Sequence, residues 1–240
     1  MADSGPPIRV EGLVKRLGRV TAVDGLNLLV ETGQVLGLAG PNGAGKSVTL
    51  KILLGLVRPT AGRVELFGKP VHPGASVLDR VGALVDGPGF VPHLSGLENL
   101  ELAQRMHRRR DGRVELDRAI TIAGLGDAIE RQYKTYSHGM RYRLGLAQAL
   151  LGAPDLLLLD EPTTGLDPAH ILEIRDAIAQ AAGAGATVVF SSHVMADVEQ
   201  ICTHAAVMQA GRLVAYGPVR ELIADSAAHS LSEAYLSFVR

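Results

Sequence analysis

The sequence predicts an α/β fold, with a largely parallel sheet, an antiparallel sheet built by the early strands, and an inserted block of helices. Short apolar runs alternate with helical patterns along the 240 residues, as in a parallel α/β core. The first runs lie close together around turns such as Glu31-Thr32-Gly33, which suggests antiparallel pairing beside that core. Residues from about 90 to 150 read instead as mostly helix.

In chain order, strands are expected at Ile8–Val14, Leu26–Val30, Val35–Ala39, Arg63–Phe67, Val81–Val85, Leu156–Asp160, Thr187–Phe190, Ala205–Gln209 and Arg212–Ala215. Val48 to Leu54 is helix-like. Ser95-Gly96-Leu97-Glu98 is a capping box, in which Ser and Glu satisfy each other's free backbone donors, and it opens a helix through about Arg109. A second helix runs from about Val114 to Ala123 and stops at Gly124. A third spans Met140 to Leu151, with Met140, Leu144, Ala147 and Leu151 on one face, and ends at Gly152-Ala153-Pro154. The simplest division is a single domain, with 1–85 and 154–240 as core plus antiparallel unit and about 86–153 as a helical subdomain. No internal repeat or low-complexity segment is present.

Composition narrows the function. Hydrophobic residues make up 47% of the chain, enough for a sizeable core, yet no apolar run approaches the length of a bilayer span. Met1 to Pro7 has no basic n-region or apolar h-region, so no secretion signal is expected. Cys202 is the only cysteine, which excludes an intrachain disulfide and suits a reducing cytosol. A formal net charge of −1 gives no electrostatic case for nucleic acid. The densest basic cluster, Arg105 with Arg108-Arg109-Arg110 beside Asp111, reads as a solvated helix end rather than a phosphate- or lipid-contacting patch.

Gly40-Pro41-Asn42-Gly43-Ala44-Gly45-Lys46-Ser47 fits the pattern G-x-x-x-x-G-K-[ST], and lies between the apolar run Val35–Ala39 and the helix-like stretch from Val48. Glycines let successive backbone N–H groups turn inward on a polyphosphate, and the following helix N-terminus adds positive dipole. Lys46 would reach the β- and γ-phosphates and the Ser47 hydroxyl would hold Mg²⁺, so the chain is expected to bind a nucleoside triphosphate. Asp155 to Glu161 is an apolar strand that delivers two carboxylates at its C-terminal end, where ligands of open α/β sheets gather. Asp160 suits a metal, which wants hard oxygen ligands, and Glu161 suits a general base for an attacking water. Tyr136-Ser137-His138-Gly139-Met140 places a hydroxyl and a bare backbone at a helix start, which is an ordinary N-cap or a second anion site. His193, after Ser191-Ser192, would by itself read as a structural histidine, as a lone histidine after a strand usually is.

Taken in order, these elements resemble the ATP-binding cassette (ABC) ATPases over nearly the whole chain. The resemblance rests on the phosphate loop at 40–47, the Ser137–Met140 segment matching the family signature, Asp160-Glu161, Gly165-Leu166-Asp167 matching the D-loop, and His193 matching the switch histidine. It implies a P-loop NTPase (RecA-like) core with ATP and Mg²⁺ as cofactors. It also implies a head-to-tail dimer in which the phosphate loop of one chain faces the signature of the other across each ATP. Carried over residue by residue, Gly40 to Ser47 with Val48 would hold ATP, Ser47, Asp86 and Asp160 the metal, and Glu161 and His193 the reacting water and γ-phosphate. Ser137, Gly139, Met140 and Asp167 would complete the site.

Three departures stand out. Leu17 takes the place of the usual adenine-stacking aromatic, and a base stack is worth roughly 1–3 kcal/mol, so base recognition is expected to be relaxed. Asp86, in Val85-Asp86-Gly87-Pro88-Gly89-Phe90, replaces the usual glutamine and is shorter, charged and without a donor. His138 and Met140 replace commoner glycine and glutamine. Val81–Leu100, the Ser137–Met140 segment and the tail Leu231–Leu236 resemble the branch that powers bacterial exporters of drugs, antibiotics or peptides. That branch implies a pair of identical ATPase chains on the cytoplasmic face of a separate membrane permease. The alternatives are a soluble cassette ATPase not coupled to transport, which usually adds a second cassette or a long coiled coil, and a non-catalytic ATP-binding module, against which Glu161 and His193 argue. A GTPase reading lacks an N-K-x-D segment.

Overall fold

A computed structural model describes residues 5–106, 112–165 and 167–239. Arg108-Arg109-Arg110 with Asp111, and Leu166 of the D-loop stretch, lie outside the described residues. A four-stranded antiparallel sheet, in the order β2-β1-β4-β5, is made by β1 (Ile8–Leu17), β2 (Val20–Val30), β4 (Ala61–Leu66) and the two-residue β5 (Lys69–Pro70). The second sheet has six strands in the order β10-β9-β3-β8-β7-β6. They are β3 (Val35–Ala39), β6 (Val81–Leu84), β7 (Leu156–Leu159), β8 (Thr187–Ser192), β9 (His204–Gln209) and β10 (Arg212–Pro218), all parallel except β10. Helices are α1 (Lys46–Leu53), α2 (Gly96–Met106), α3 (Gly112–Ala123), α4 (His138–Ala149), α5 (Pro168–Gly183), α6 (Met195–Ile201), α7 (Val219–Asp225) and α8 (Leu231–Phe238).

The central strands β3, β7, β8 and β9 are buried on both faces, and strand alternation divides their side chains between two cores. Leu36, Leu38, Leu156, Leu158, Val189, Ala206 and Met208 pack with α1 and the antiparallel sheet. Their neighbours Val35, Ala39, Leu157, Leu159, Val188, Phe190, Ala205 and Val207 pack on the other side with α4, α5, α6 and α8. A third core joins Leu100 and Ala103 of α2, Ala119 and Ala123 of α3, and Leu144 and Ala147 of α4. Helix α4 serves two cores, because Leu144, Ala147 and the following Leu151 face the helices while Tyr142, Leu146 and Ala149 face the sheet. The capping box at the head of α2 forms as expected: Ser95 N–H donates to Glu98 Oε2 (2.7 Å) and Glu98 N–H to Ser95 Oγ (3.1 Å).

The structure corrects one turn. Glu31-Thr32-Gly33 does not close a hairpin of the antiparallel sheet; it carries the chain from β2 across to β3, in the middle of the other sheet. The reason is burial: all of β3 is buried, whereas β2 alternates and can leave one face to water. The hairpin is made earlier, at Gly18-Arg19, where Leu17 pairs with Val20. This also lengthens β1 and β2 beyond their apolar stretches, because their solvent-facing ends pair with each other.

One close approach fixes how α4 sits on the sheet. A Cβ on Gly82, in β6, would stand 1.9 Å from the Ala149 carbonyl oxygen and 2.9 Å from the Pro154 ring. Neither group is a flexible side-chain tip, so the backbone itself would have to move. Overpacking of this kind typically costs about 1–3 kcal/mol. Gly82→Ala is expected to lower stability by about that amount in urea unfolding, with the transition midpoint moving and its slope unchanged; a midpoint equal to wild type would show that α4 and β6 part without cost.

Candidate functional site

Three adjacent parallel strands, β3, β8 and β7, end along one edge, and each delivers part of a cluster there. After β3 the chain turns through residues 40–45 into α1. Gly45 is the α1 N-cap with φ of 101°, and a Cβ there would stand 2.3 Å from the Ala22 carbonyl oxygen, so both its conformation and its surroundings require glycine. Ala44 is buried, with its N–H on the Pro41 carbonyl (3.1 Å), while Pro41, Asn42 and Gly43 face solvent. Val48 packs against the first core.

Lys46 opens α1 and is 5% exposed. Its Nζ donates to the carbonyls of Gly40 (2.7 Å) and Pro41 (3.1 Å) and lies 3.3 Å from Glu161 Oε1. Ser47 Oγ donates to Asp160 Oδ1 at 3.0 Å. Glu161 leaves β7 with a positive φ of 48°, and this turn brings its carboxylate back over the phosphate loop. Glu161 Oε2 is 2.7 Å from His193 Nδ1 and accepts from Thr164 Oγ1 at 3.0 Å. Burial raises the Glu161 pKa, but the His193 hydrogen bond, the Lys46 charge and the Thr164 hydroxyl together outweigh it and leave the carboxyl below its usual value. Glu161 is therefore ionised at neutral pH.

Lys46, Ser47, Asp160, Glu161 and His193 thus form one connected group. The remaining expected residues stand elsewhere. Ser137 is the N-cap of α4, accepting from Met140 N–H at 3.3 Å. Met140 packs on the third core with its Sδ 3.8 Å from Arg131 Nη2. Gly139 lies under the ring of His170, about 3.8 Å from where its Cβ would be. Asp167 caps α5, accepting from the His170 N–H (3.1 Å) and meeting His170 Nδ1 at 2.5 Å. The His170 backbone N–H, then its ring, lower the Asp167 pKa. Asp86 is turned to α1: its Oδ2 is 2.7 Å from Lys51 Nζ, and its φ is 61°. Leu17 is 50% exposed at the tip of the β1–β2 hairpin.

Residue patterns alone missed four contributors. Ser191 bonds Asp160, Thr164 bonds Glu161, Lys51 takes Asp86, and Tyr142 of α4 is buried with no hydrogen-bond partner for its hydroxyl among the described residues. Burial and then the Asp160 charge raise the Tyr142 pKa. Only Thr164 sits near enough in sequence to Glu161 to have been found by spacing.

Residues 23–164, more than half of the chain, match the ABC transporter family. The daunorubicin resistance ATP-binding protein DrrA3 of Streptomyces coeruleorubidus is 40% identical over 229 residues, 94% of this chain and 72% of that protein. The bacitracin transport ATP-binding protein BcrA of Enterococcus faecalis is 39% identical over 217 residues, 90% of this chain and 70% of that one. A solved structure described as the ATP-binding subunit of an ABC transporter has the same fold, with a TM-score of 0.88 at 24% identity over 97% of this chain and 99% of the other. The phosphate loop, the paired carboxylates at the end of β7 and these matches agree: the chain belongs to the ABC transporter family, as an ATP-binding ATPase subunit.

Proposed function

We propose that this chain is the ATPase of an exporter, working on the cytoplasmic face of a membrane beneath a separate permease. No helix among the described residues is long and apolar enough to cross a membrane, and in this reading a separate permease supplies the transport path. The similarity to proteins named for daunorubicin resistance and bacitracin transport supports export. A groove of about 400 Å³ between α1, β6 and α4, lined by Leu54, Leu56, Leu84, Pro88 and Gln148, offers the permease a surface beside Asp86.

The observation that carries the catalytic reading is the Lys46–Glu161–His193 contact. Phosphate oxygens would draw Lys46 from the Gly40 and Pro41 carbonyls and from Glu161, with the α1 N–H groups adding donors. Glu161, released from Lys46 but still held by Thr164, would accept a proton from water. His193 keeps Nδ1 on Glu161, which leaves Nε2 for a γ-phosphate oxygen. Two hard oxygens, from Ser47 and Asp160, already meet 3.0 Å apart and fit Mg²⁺, which would neutralise charge on the phosphates. Ser137, Gly139 and Met140 touch none of these groups within the chain. We assign them to the ATP of a second, identical subunit, with Asp167 beside them at the shared boundary. The helical segment 86–153 acts as the subdomain that presents them.

Glu161→Gln keeps the shape but loses the base. It is expected to bind ATP while turnover falls about 10²–10⁴-fold, and an ATP-dependent dimer should accumulate in size-exclusion chromatography. Near-normal turnover would assign water activation to another group.

A shared site makes a complementation prediction. Lys46→Ala and Ser137→Ala chains should each be inactive, but a mixed dimer has one site with both defects and one with neither. Part of the ATPase activity should return on mixing. Activity fixed at the level of the separate variants, with mixed dimers verified by mass, would place each site within one chain.

A further inference from the structure

We propose that Ser191 is a positioning residue for both carboxylates of the site, acting through a single buried hydroxyl; this rests on the ATPase reading above. Ser191 lies on β8, one step beyond the pair Leu159–Phe190, and so stands beside Asp160 where β7 ends. It is 0% exposed. Its Oγ donates to Asp160 Oδ1 at 2.5 Å and accepts the Glu161 backbone N–H at 2.9 Å. The one proton and one lone pair used are both directed at neighbouring catalytic positions.

The second bond explains how Glu161 can leave the sheet. The Asp160 N–H still bonds the Leu84 carbonyl of β6 at 2.9 Å, whereas the Glu161 N–H has no strand carbonyl and takes the Ser191 hydroxyl instead. That bond anchors the residue whose φ of 48° swings its carboxylate to Lys46 and His193. The first bond fixes the other carboxylate. Asp160 Oδ1 also accepts from Ser47 Oγ, but Ser47 is the hydroxyl assigned to the cation. Once Ser47 turns away, Ser191 is the hold that remains on that oxygen, and a charge-assisted O–H···O⁻ bond of this length is a strong one.

Ser191→Ala deletes both bonds and leaves the phosphate loop untouched. ATP affinity measured in EDTA should therefore match wild type within about twofold. The gain in affinity on adding Mg²⁺ should shrink, the Mg²⁺ concentration for half-maximal turnover should rise several-fold, and kcat should fall at least tenfold. Ser191→Thr keeps the hydroxyl and should recover most of both losses, whereas Ser191→Cys, similar in size but a weak donor, should not. A variant whose thermal melting matches wild type, yet whose Mg²⁺ dependence and kcat are also unchanged, overturns the proposal. Loss of ATP affinity in EDTA overturns it too, because the defect would then be in the fold of the loop. If Ser191→Ala does not fold, the contrast between Thr and Cys decides: equal behaviour of the two counts against the hydroxyl. Wild-type protein that neither binds nor hydrolyses ATP would instead overturn the reading of the whole site.

Discussion

Lys46 is a cation enclosed by protein, and its charge must be answered in every state of the molecule. Taking an ammonium group out of water costs several kcal/mol unless it is paired and hydrogen-bonded. Here the Gly40 and Pro41 carbonyls and the Glu161 carboxylate answer it. The phosphate loop and the end of β7 are therefore held together across the sheet by the charge that a polyphosphate would claim. Phosphate would take over the lysine and leave Glu161 without its cation. The carboxyl, now facing phosphate charge, would rise in pKa from its lowered position. A weaker acid is a better base, so the same exchange that seats the ligand improves the group proposed to activate water.

That exchange needs a rigid frame, which the alternation of β3, β7, β8 and β9 supplies. Each strand sends successive side chains into opposite cores, and neither core can shift without disturbing the other. The strand ends are consequently fixed relative to one another. Helix α4 adds the third core to the same frame, since its two faces are bound to the sheet and to α2 and α3. Gly82 permits the contact by omitting a side chain that would hold α4 off β6.

What the sequence made legible was local. The phosphate loop, the Ser95–Glu98 capping box and the apolar strands each express their physics within a few residues, and the structure has them, although β1 and β10 run three residues past their expected ends and β2 starts six residues before its expected start. The tertiary partners were not legible. Ser191 reaches Asp160 only because β8 pairs with β7 in a particular register, and no spacing in the chain encodes that. Lys51 lies on α1 and Asp86 after β6, so their pairing depends on where the two elements meet. The turn at Glu31 was misread for the same reason: it looks like a hairpin turn, and only the double-sided burial of β3 sends the chain to the other sheet.

The segment from Glu161 to His170 joins these levels. Thr164 bonds the Glu161 carboxylate, Gly165 lies 3.8 Å from the His138 ring measured at its would-be Cβ, and His170, tied to Asp167, covers Gly139. Within one chain, the proposed base is thus connected through a short, capped stretch to the start of α4. If the start of α4 faces ATP in a partner subunit, each subunit's grip on its neighbour's nucleotide bears on the position of its own Glu161. The physical link is steric and hydrogen-bonded rather than long-range electrostatic, because the histidines and Asp167 are exposed enough for water and salt to screen their charges. Communication between the two sites would then survive high ionic strength, and would depend on the packing of His138 and His170 against two backbones that carry no side chain.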